Sequence, residues 1–454
     1  GNIFKLWDPP REPGSESAAP PRRFTVDAGE RGGITLETIA TPLMISGGDP
    51  RATEFLRDAL APYGIIPVAV GGEADSAASP GVDDLAPGSV IGSPLMTGDF
   101  KMTAIGTVTA REGDRLLAFG HPFFNEGPTA LPMSGGEIYH IMSTLNWTHK
   151  LGAPGRVLGS IVDDRISAIA GVIGARPDFF PASAEIEDVT TKRSYKFNVE
   201  IAQVRGLVPH LISQLVTGSL FQAAGYAPEM SVRVAFDGKL RDPARAFHFE
   251  DAFVYPPDYY DFEALAYIFM LLDNPFRKVQ LDSLKVKMTL DRTARDAWIE
   301  NVTLGASTFH AGETVKAHVK LSRFDKSDAT LTLDLPIPAD ARPGPLTLEF
   351  SGGGSTYGYA RMTPVTNFDQ LLDALEEWIP CNTIIVRIVY PEAAVGVEGR
   401  ELQNLPVSVM NQFATAADPD GKPFSRYERL IFKTDRVVFG AAKAVINVEK
   451  EYEK

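Results

Sequence analysis

The stretch Leu116-Leu-Ala-Phe-Gly-His-Pro-Phe-Phe124 runs an apolar strand straight into Gly120-His121-Pro122. Proline forces the residue before it into extended or polyproline geometry, so His121 is held at a strand end, on the rim of whatever barrel that strand joins. An imidazole titrates near neutral pH and can take a proton from a hydroxyl, which makes His121 a candidate general base. The bland reading is that His-Pro ends the strand and the ring bonds a carbonyl. The catalytic reading predicts that Nε2 faces an open cleft. Two serines sit in loops that echo a nucleophile: Ser134 in Met133-Ser-Gly-Gly136, and Ser93 in Gly-Ser-Pro. Asp163 and Asp164 precede Arg165 and are expected to form a local ion pair or turn rather than to orient His121.

Other chemistry finds little support. The seven histidines, His121, His140, His149, His210, His248, His310 and His318, form no His-x-x-x-His pair and no cluster with the single cysteine, Cys381. His140 and His149 stand nine residues apart, which matches no compact ligand spacing, and no metal is expected. Neither Gly-x-Gly-x-x-Gly nor a Walker-type loop is present, so no nucleotide and no cofactor is expected. The tract Ser351-Gly-Gly-Gly-Ser355 reads as a flexible linker.

Several elements must position these residues. Residues 9–32 read as an extended arm stiffened by Pro9, Pro10, Pro13, Pro20 and Pro21. Ile34–Ile45 alternates as a strand, Asp49 can cap a helix with Pro50 at its first position, Gly64 closes it, and Ile65–Val70 is a buried strand. Residues 71–88 form a polar linker. Short apolar runs punctuated by turn residues from Ser89 to about Gly174 are an all-β signature, with a hairpin turn at Glu112-Gly113-Asp114. Leu207–Tyr226 is a buried helix, and a second helix covers 261–272. Leu284, Val286, Met288 and Leu290 alternate with polar residues, as do Val315 to Leu321 and Leu331 to Leu335. That pattern predicts an immunoglobulin-like sandwich over 281–355. Asn367 can cap a further helix bearing Leu371, Leu372, Leu375 and Trp378, followed by the β-branched strand Thr383–Tyr390 and final strands over Val437–Val448.

The bulk properties narrow the function classes. The chain has 454 residues, with 44 Lys and Arg against 58 Asp and Glu, a net charge of −14 that argues against nucleic-acid binding. No segment reaches the roughly 18 consecutive apolar residues of a membrane span. Gly1 rather than methionine opens the chain, so it is expected to begin inside a larger coding sequence.

Residues 87–175 resemble the SpoIVB-type serine peptidase family. The matching text is Pro87-Gly-Ser-Val-Ile-Gly, Thr97-Gly-Asp-Phe-Lys-Met-Thr-Ala-Ile-Gly-Thr-Val-Thr109, and Gly113-Asp-Arg-Leu-Leu-Ala-Phe-Gly-His-Pro-Phe123. It continues with Gly127-Pro-Thr-Ala-Leu-Pro-Met133, Gly159-Ser-Ile-Val-Asp-Asp-Arg165 and Ala170-Gly-Val-Ile-Gly174. The resemblance implies a trypsin-like double β-barrel, a Ser/His/Asp-type mechanism, and His121 as the family's histidine. The family's nucleophile motif, Gly-Met-Ser-Gly-Ser-Pro, has no copy here. In long members it precedes the His segment, which would place it before Gly1, and neither Ser134 nor Ser93 stands at its position.

The expected fold is mainly β with α+β parts. A Pro-rich arm (1–33) leads to a peptidase-like β-barrel region with a strand–helix–strand insert (34–205). Next come a helical/β connector (206–280), the sandwich (281–355) and a mixed α/β unit (356–454). Two functions stand open. In one, the chain is the His-bearing C-terminal portion of a serine endopeptidase, inactive alone, separated by autoproteolysis from its own Ser-bearing upstream segment or completed by another protein partner. In the other it is an inactive peptidase-like scaffold or assembly subunit. The resemblance also implies a bacterial, extracytoplasmic location.

Overall fold

The structure is a computed structural model that describes residues 23–27, 33–37, 41–70, 85–143, 148–255, 263–323, 327–354, 365–397, 400–402, 405–406, 408–409 and 423–449. Among the described residues strand outweighs helix, 59% to 14%, so the fold is mainly β, as the alternating runs predict. Six strands close on themselves. Val90–Gly98 pairs with Lys101–Glu112, which pairs with Arg115–Ala118 across a turn where Gly113 takes φ 60°. Arg115–Ala118 pairs with Ala168–Ile173, that strand with Thr148–Arg165, and that one with Gly127–Ser143. The ring is completed where Ser134 stands opposite Gly92.

Two additions flank the ring. Thr41–Ser46 lies antiparallel to Lys101–Glu112 and carries Ile65–Ala69 parallel to itself. Helix α1 (Pro50–Leu60) joins the two. Asp49 caps it by accepting the Arg51 N–H at 2.9 Å, and Gly64 leaves at φ 68°. On the other flank Val90–Gly98 hands over to Arg193–Ala202, through Met96–Gly98 opposite Val199–Ile201. From there the sheet continues through Phe179–Asp188, Leu281–Asp291, Met230–Leu240 and Arg245–Tyr255. Helix α2 (Val208–Ala224) is buried along nearly its whole length, with Leu211, Leu215 and Phe221 in a core shared by ring and open sheet. Helix α3 (Glu263–Leu272) contributes Tyr267 and Ile268 to the same core.

The second core lies between a four-stranded and a six-stranded sheet, where Ile299, Val319 and Leu335 meet Phe350, Val386 and Ile446. Its membership differs from the expected boundaries. Leu281–Asp291 has the predicted alternation, yet it pairs with Phe179–Asp188 and Met230–Leu240 in the large sheet. Alternation fixes which side chains are dry, not which sheet receives them. Conversely, Thr383–Val397 and Ala441–Glu449 both pair with Gly344–Gly352, so strands expected in a separate C-terminal unit belong to the second core. Helix α4 (Phe368–Glu376), capped by Asn367 as predicted, puts Leu371, Leu372 and Leu375 into the first core instead.

The glycine tract after Phe350 is packed rather than loose through Gly354. A Cβ on Gly352 would sit 2.1 Å from the Val438 carbonyl oxygen, and one on Gly353 would sit 2.3 Å from that of Pro380. Close backbone approach, not linker freedom, explains these glycines. Of the arm, Arg23–Asp27 pairs with Gly33–Glu37, while residues 9–22 and 28–32 lie outside the described residues, as do 71–84 of the polar linker.

Candidate active site

His121 comes directly after the ring strand Arg115–Ala118. Two left-handed residues, Phe119 at φ 72° and Gly120 at φ 77°, turn the chain there. A phenylalanine seldom adopts that conformation, and here its surroundings impose it. The Phe119 N–H donates to the Thr107 carbonyl at 3.1 Å, and its ring lies against Gly106, where a Cβ would come within 2.0 Å of Cδ1. The imidazole is exposed and stands 5.6 Å from the Phe119 ring, centroid to centroid.

Its nitrogens are not equivalent. Nδ1 lies 2.8 Å from the Pro122 carbonyl oxygen, which can only accept, so Nδ1 carries the proton and Nε2 keeps its lone pair. Among the described residues Nε2 has no hydrogen-bond partner. The ring thus bonds a carbonyl, in agreement with the bland reading, through the nitrogen that leaves the other free to act as a base.

Asp164 holds the loop beyond the histidine. Its carboxylate is fully buried; Oδ1 accepts the Phe123 N–H at 2.8 Å, and Oδ2 accepts those of Phe124 at 2.6 Å and Asn125 at 2.8 Å. Only Asp163 makes the expected local ion pair, with Arg165 at 2.8 Å. Asp164 differs because its partners are backbone groups some 40 residues away, a distance at which sequence spacing carries no signal. It touches the loop and not the imidazole.

Ser134 and Ser93 are both fully buried, and neither hydroxyl has a hydrogen-bond partner among the described residues. They lie inside paired strands, not on an exposed turn. Ser134 presses on Gly92: a Cβ there would come 2.6 Å from its Oγ and 3.3 Å from the Gly135 oxygen. Gly92→Ala should therefore destabilise the chain by about 1–3 kcal/mol, and Ser134→Gly in the same chain should recover part of the loss. Thermal unfolding of the two variants checks this, and an unchanged midpoint for Gly92→Ala would disprove the contact.

Titratable groups that sequence spacing could not bring together gather beyond the loop. Burial pushes the Glu126 carboxyl up, against the pull of Lys278, and does the same to Asp273. His210 packs edge-on against Phe269 at 4.9 Å and Tyr63 at 6.0 Å, and burial pushes it down to about 4, so it is neutral at pH 7. Tyr63 donates to the Gly206 carbonyl at 3.3 Å. These residues come from four separate segments, and nothing in their local sequence marks them.

A depression of about 650 Å³ lies elsewhere, on the polar face of the open sheet, lined by Ser183, Asn198, Asp237, Ser283 and Lys285 among others. Its charges are mutually satisfied: Asp237 bonds His248 at 2.7 Å and Lys287 at 3.0 Å, while Lys285 pairs with Glu185 at 2.7 Å. Among the described residues no group of three or more His, Cys, Asp or Glu could hold a metal ion, and no helix is long and apolar enough to cross a membrane. Comparison of the chain with family models, curated proteins and solved structures found no match.

Proposed function

We propose that this chain carries the general-base histidine of a SpoIVB-type serine peptidase-like protein, with the nucleophilic hydroxyl supplied by an upstream segment or a protein partner, outside the cytoplasm of a bacterium. The observation that carries this reading is the state of His121. It is exposed, its Nδ1 is committed to the Pro122 carbonyl, and its loop is gripped by a buried carboxylate. In the reaction, Nε2 would take the hydroxyl proton as the oxygen attacks a peptide carbonyl, then return it to the leaving amine. The Pro122 oxygen would steady the imidazolium formed in between. A closed ring of six strands with His121 on its rim suits the barrel half of a trypsin-like fold.

One observation favours the second reading, a non-catalytic scaffold. Among the described residues no hydroxyl, thiol or carboxylate side chain bonds the imidazole. A fluorophosphonate probe on the full-length product separates the two. Covalent labelling that disappears in His121→Ala supports catalysis. Absence of labelling in the intact protein, under conditions where trypsin labels, would leave the scaffold.

A further inference from the structure

The hairpin formed by Gly127–Ser143 and Thr148–Arg165 outruns the ring. Thr148–Arg165 meets Ala168–Ile173 only from Gly159 onward, and Gly127–Ser143 meets Val90–Gly98 only at Ser134. Among the described residues, the outer edge of Glu137–Ser143 therefore has no strand partner. On that side, the backbone N–H and C=O groups have no strand partner among the described residues and can pair with another chain. The same stretch bears an exposed apolar run: Tyr139, Ile141 and Met142 are 57%, 54% and 39% exposed.

A chain of contacts links the hairpin to the candidate site. Lys150, opposite Ile141 in the hairpin, donates through Nζ to Thr107 Oγ1 at 2.6 Å, and the Thr107 carbonyl accepts the Phe119 N–H two residues before His121. Apart from the exposed Glu137 at its start, the stretch from Glu137 to Leu151 holds no Asp, Glu or Arg, and its one Lys is the residue bonded to Thr107.

We infer that Glu137–Ser143 is a docking edge for an extended, uncharged polypeptide segment, which adds as a strand and lays alternate apolar side chains against Tyr139 and Ile141. Main-chain hydrogen bonds supply the attachment and the apolar contacts choose the sequence. Lipid could cover the side chains but has no N–H donors for the open carbonyls. A second copy would have to align two edges that each carry the register shift between Ile138 and His140, whereas a flexible peptide has to follow that shift only once. Docking itself stands apart from the peptidase reading; only the presentation of the docked polypeptide to His121 for cleavage rests on it.

The test measures binding rather than cleavage. Fluorescence anisotropy of a fluorescein-labelled peptide alternating valine and serine is recorded with the full-length product, beside a glutamate–serine peptide and a valine–serine peptide N-methylated at alternate residues. The plain valine–serine peptide should bind. Ile141→Glu and Tyr139→Ser should each weaken it roughly tenfold or more, while both control peptides should fail. His121→Ala should bind as the parent does, so loss of the catalytic reading and loss of this one are separable. Equal binding of the N-methylated peptide, or no effect from either substitution, overturns the inference. So does sedimentation showing a dimer that Ile141→Glu dissolves, or pelleting with phosphatidylcholine vesicles, in the absence of peptide binding.

Discussion

Asp164→Ala is expected to lower the stability of the chain by about 3–4 kcal/mol and to free the backbone from Phe123 to Asn125. The carboxylate is fully buried and accepts three consecutive backbone N–H groups at 2.6–2.8 Å. Removing it leaves the Phe123 donor in a buried position, where an unpaired N–H costs about 1–3 kcal/mol. The Phe124 and Asn125 donors are only partly buried, and water can partly replace their acceptor. Asp164→Asn keeps the shape but offers a single acceptor oxygen, so it should recover less than half of the loss. Asp163→Ala is the control: its pair with Arg165 is exposed and should contribute no more than about 1 kcal/mol. Denaturant unfolding gives the stabilities, and hydrogen exchange gives the loop. If the amides of Phe123–Asn125 exchange no faster in Asp164→Ala, the carboxylate does not hold the loop.

The same substitution separates a positioning role from a purely structural one. A free loop lets the His121 ring depart from one orientation, whereas the docking edge at Glu137–Ser143 has no bond to Asp164. In full-length product that labels with a fluorophosphonate, Asp164→Asn should slow labelling at least about tenfold while peptide affinity stays unchanged. A parallel fall in both would mean general loosening of the ring.

Asp164 also marks where sequence reasoning runs out. Local signals carry well: Asp49 and Asn367 cap their helices as their positions predict, because a cap bonds residues two or three places away. Strand alternation carries too, as in Leu281–Asp291, whose dry residues Leu284, Val286, Met288 and Leu290 are all buried. Its partners were not legible, since a half-buried strand fits any sheet with a free edge. Nor was the state of Gly352 and Gly353. A run of glycines reads as a linker until the backbone pressing on it is known. At the site, His-Pro geometry drew attention to His121 and anticipated a ring bonded to a carbonyl, here that of Pro122, but the carboxylate that holds the loop lies some 40 residues away, where no motif records it. Glu126, His210 and Asp273 were invisible for the same reason: their electrostatics arise from burial, and burial is a property of the assembled chain.

Arg292→Met should destabilise the chain by about 2–4 kcal/mol and make it more sensitive to acid. Arg292 Nε bonds Asp188 Oδ2 at 2.8 Å, and its other nitrogens donate to the carbonyls of Ala224 at 2.8 Å and Ala223 at 3.2 Å, at the end of α2. A cation there meets both a buried charge and the negative end of a helix dipole. Asp188 is fully buried, while the Arg292 side chain is 28% exposed, which keeps the figure below that of a sealed pair. Burial alone would raise the Asp188 carboxyl. The Thr191 hydrogen bonds and the Arg292 guanidinium outweigh it and hold the group below the usual carboxylate range. A lowered carboxyl adds stability above its unfolded value, about 3.9, and loses it as the pH falls through the folded value. Without Arg292 the folded value rises, so acid unfolding should begin at higher pH. Asp188→Asn combined with Arg292→Met decides between pairing and mere packing. If the buried charge is what suffers, the double variant should be more stable than the sum of the two losses predicts, by roughly 1 kcal/mol or more. Strict additivity would assign Arg292 to the helix end alone.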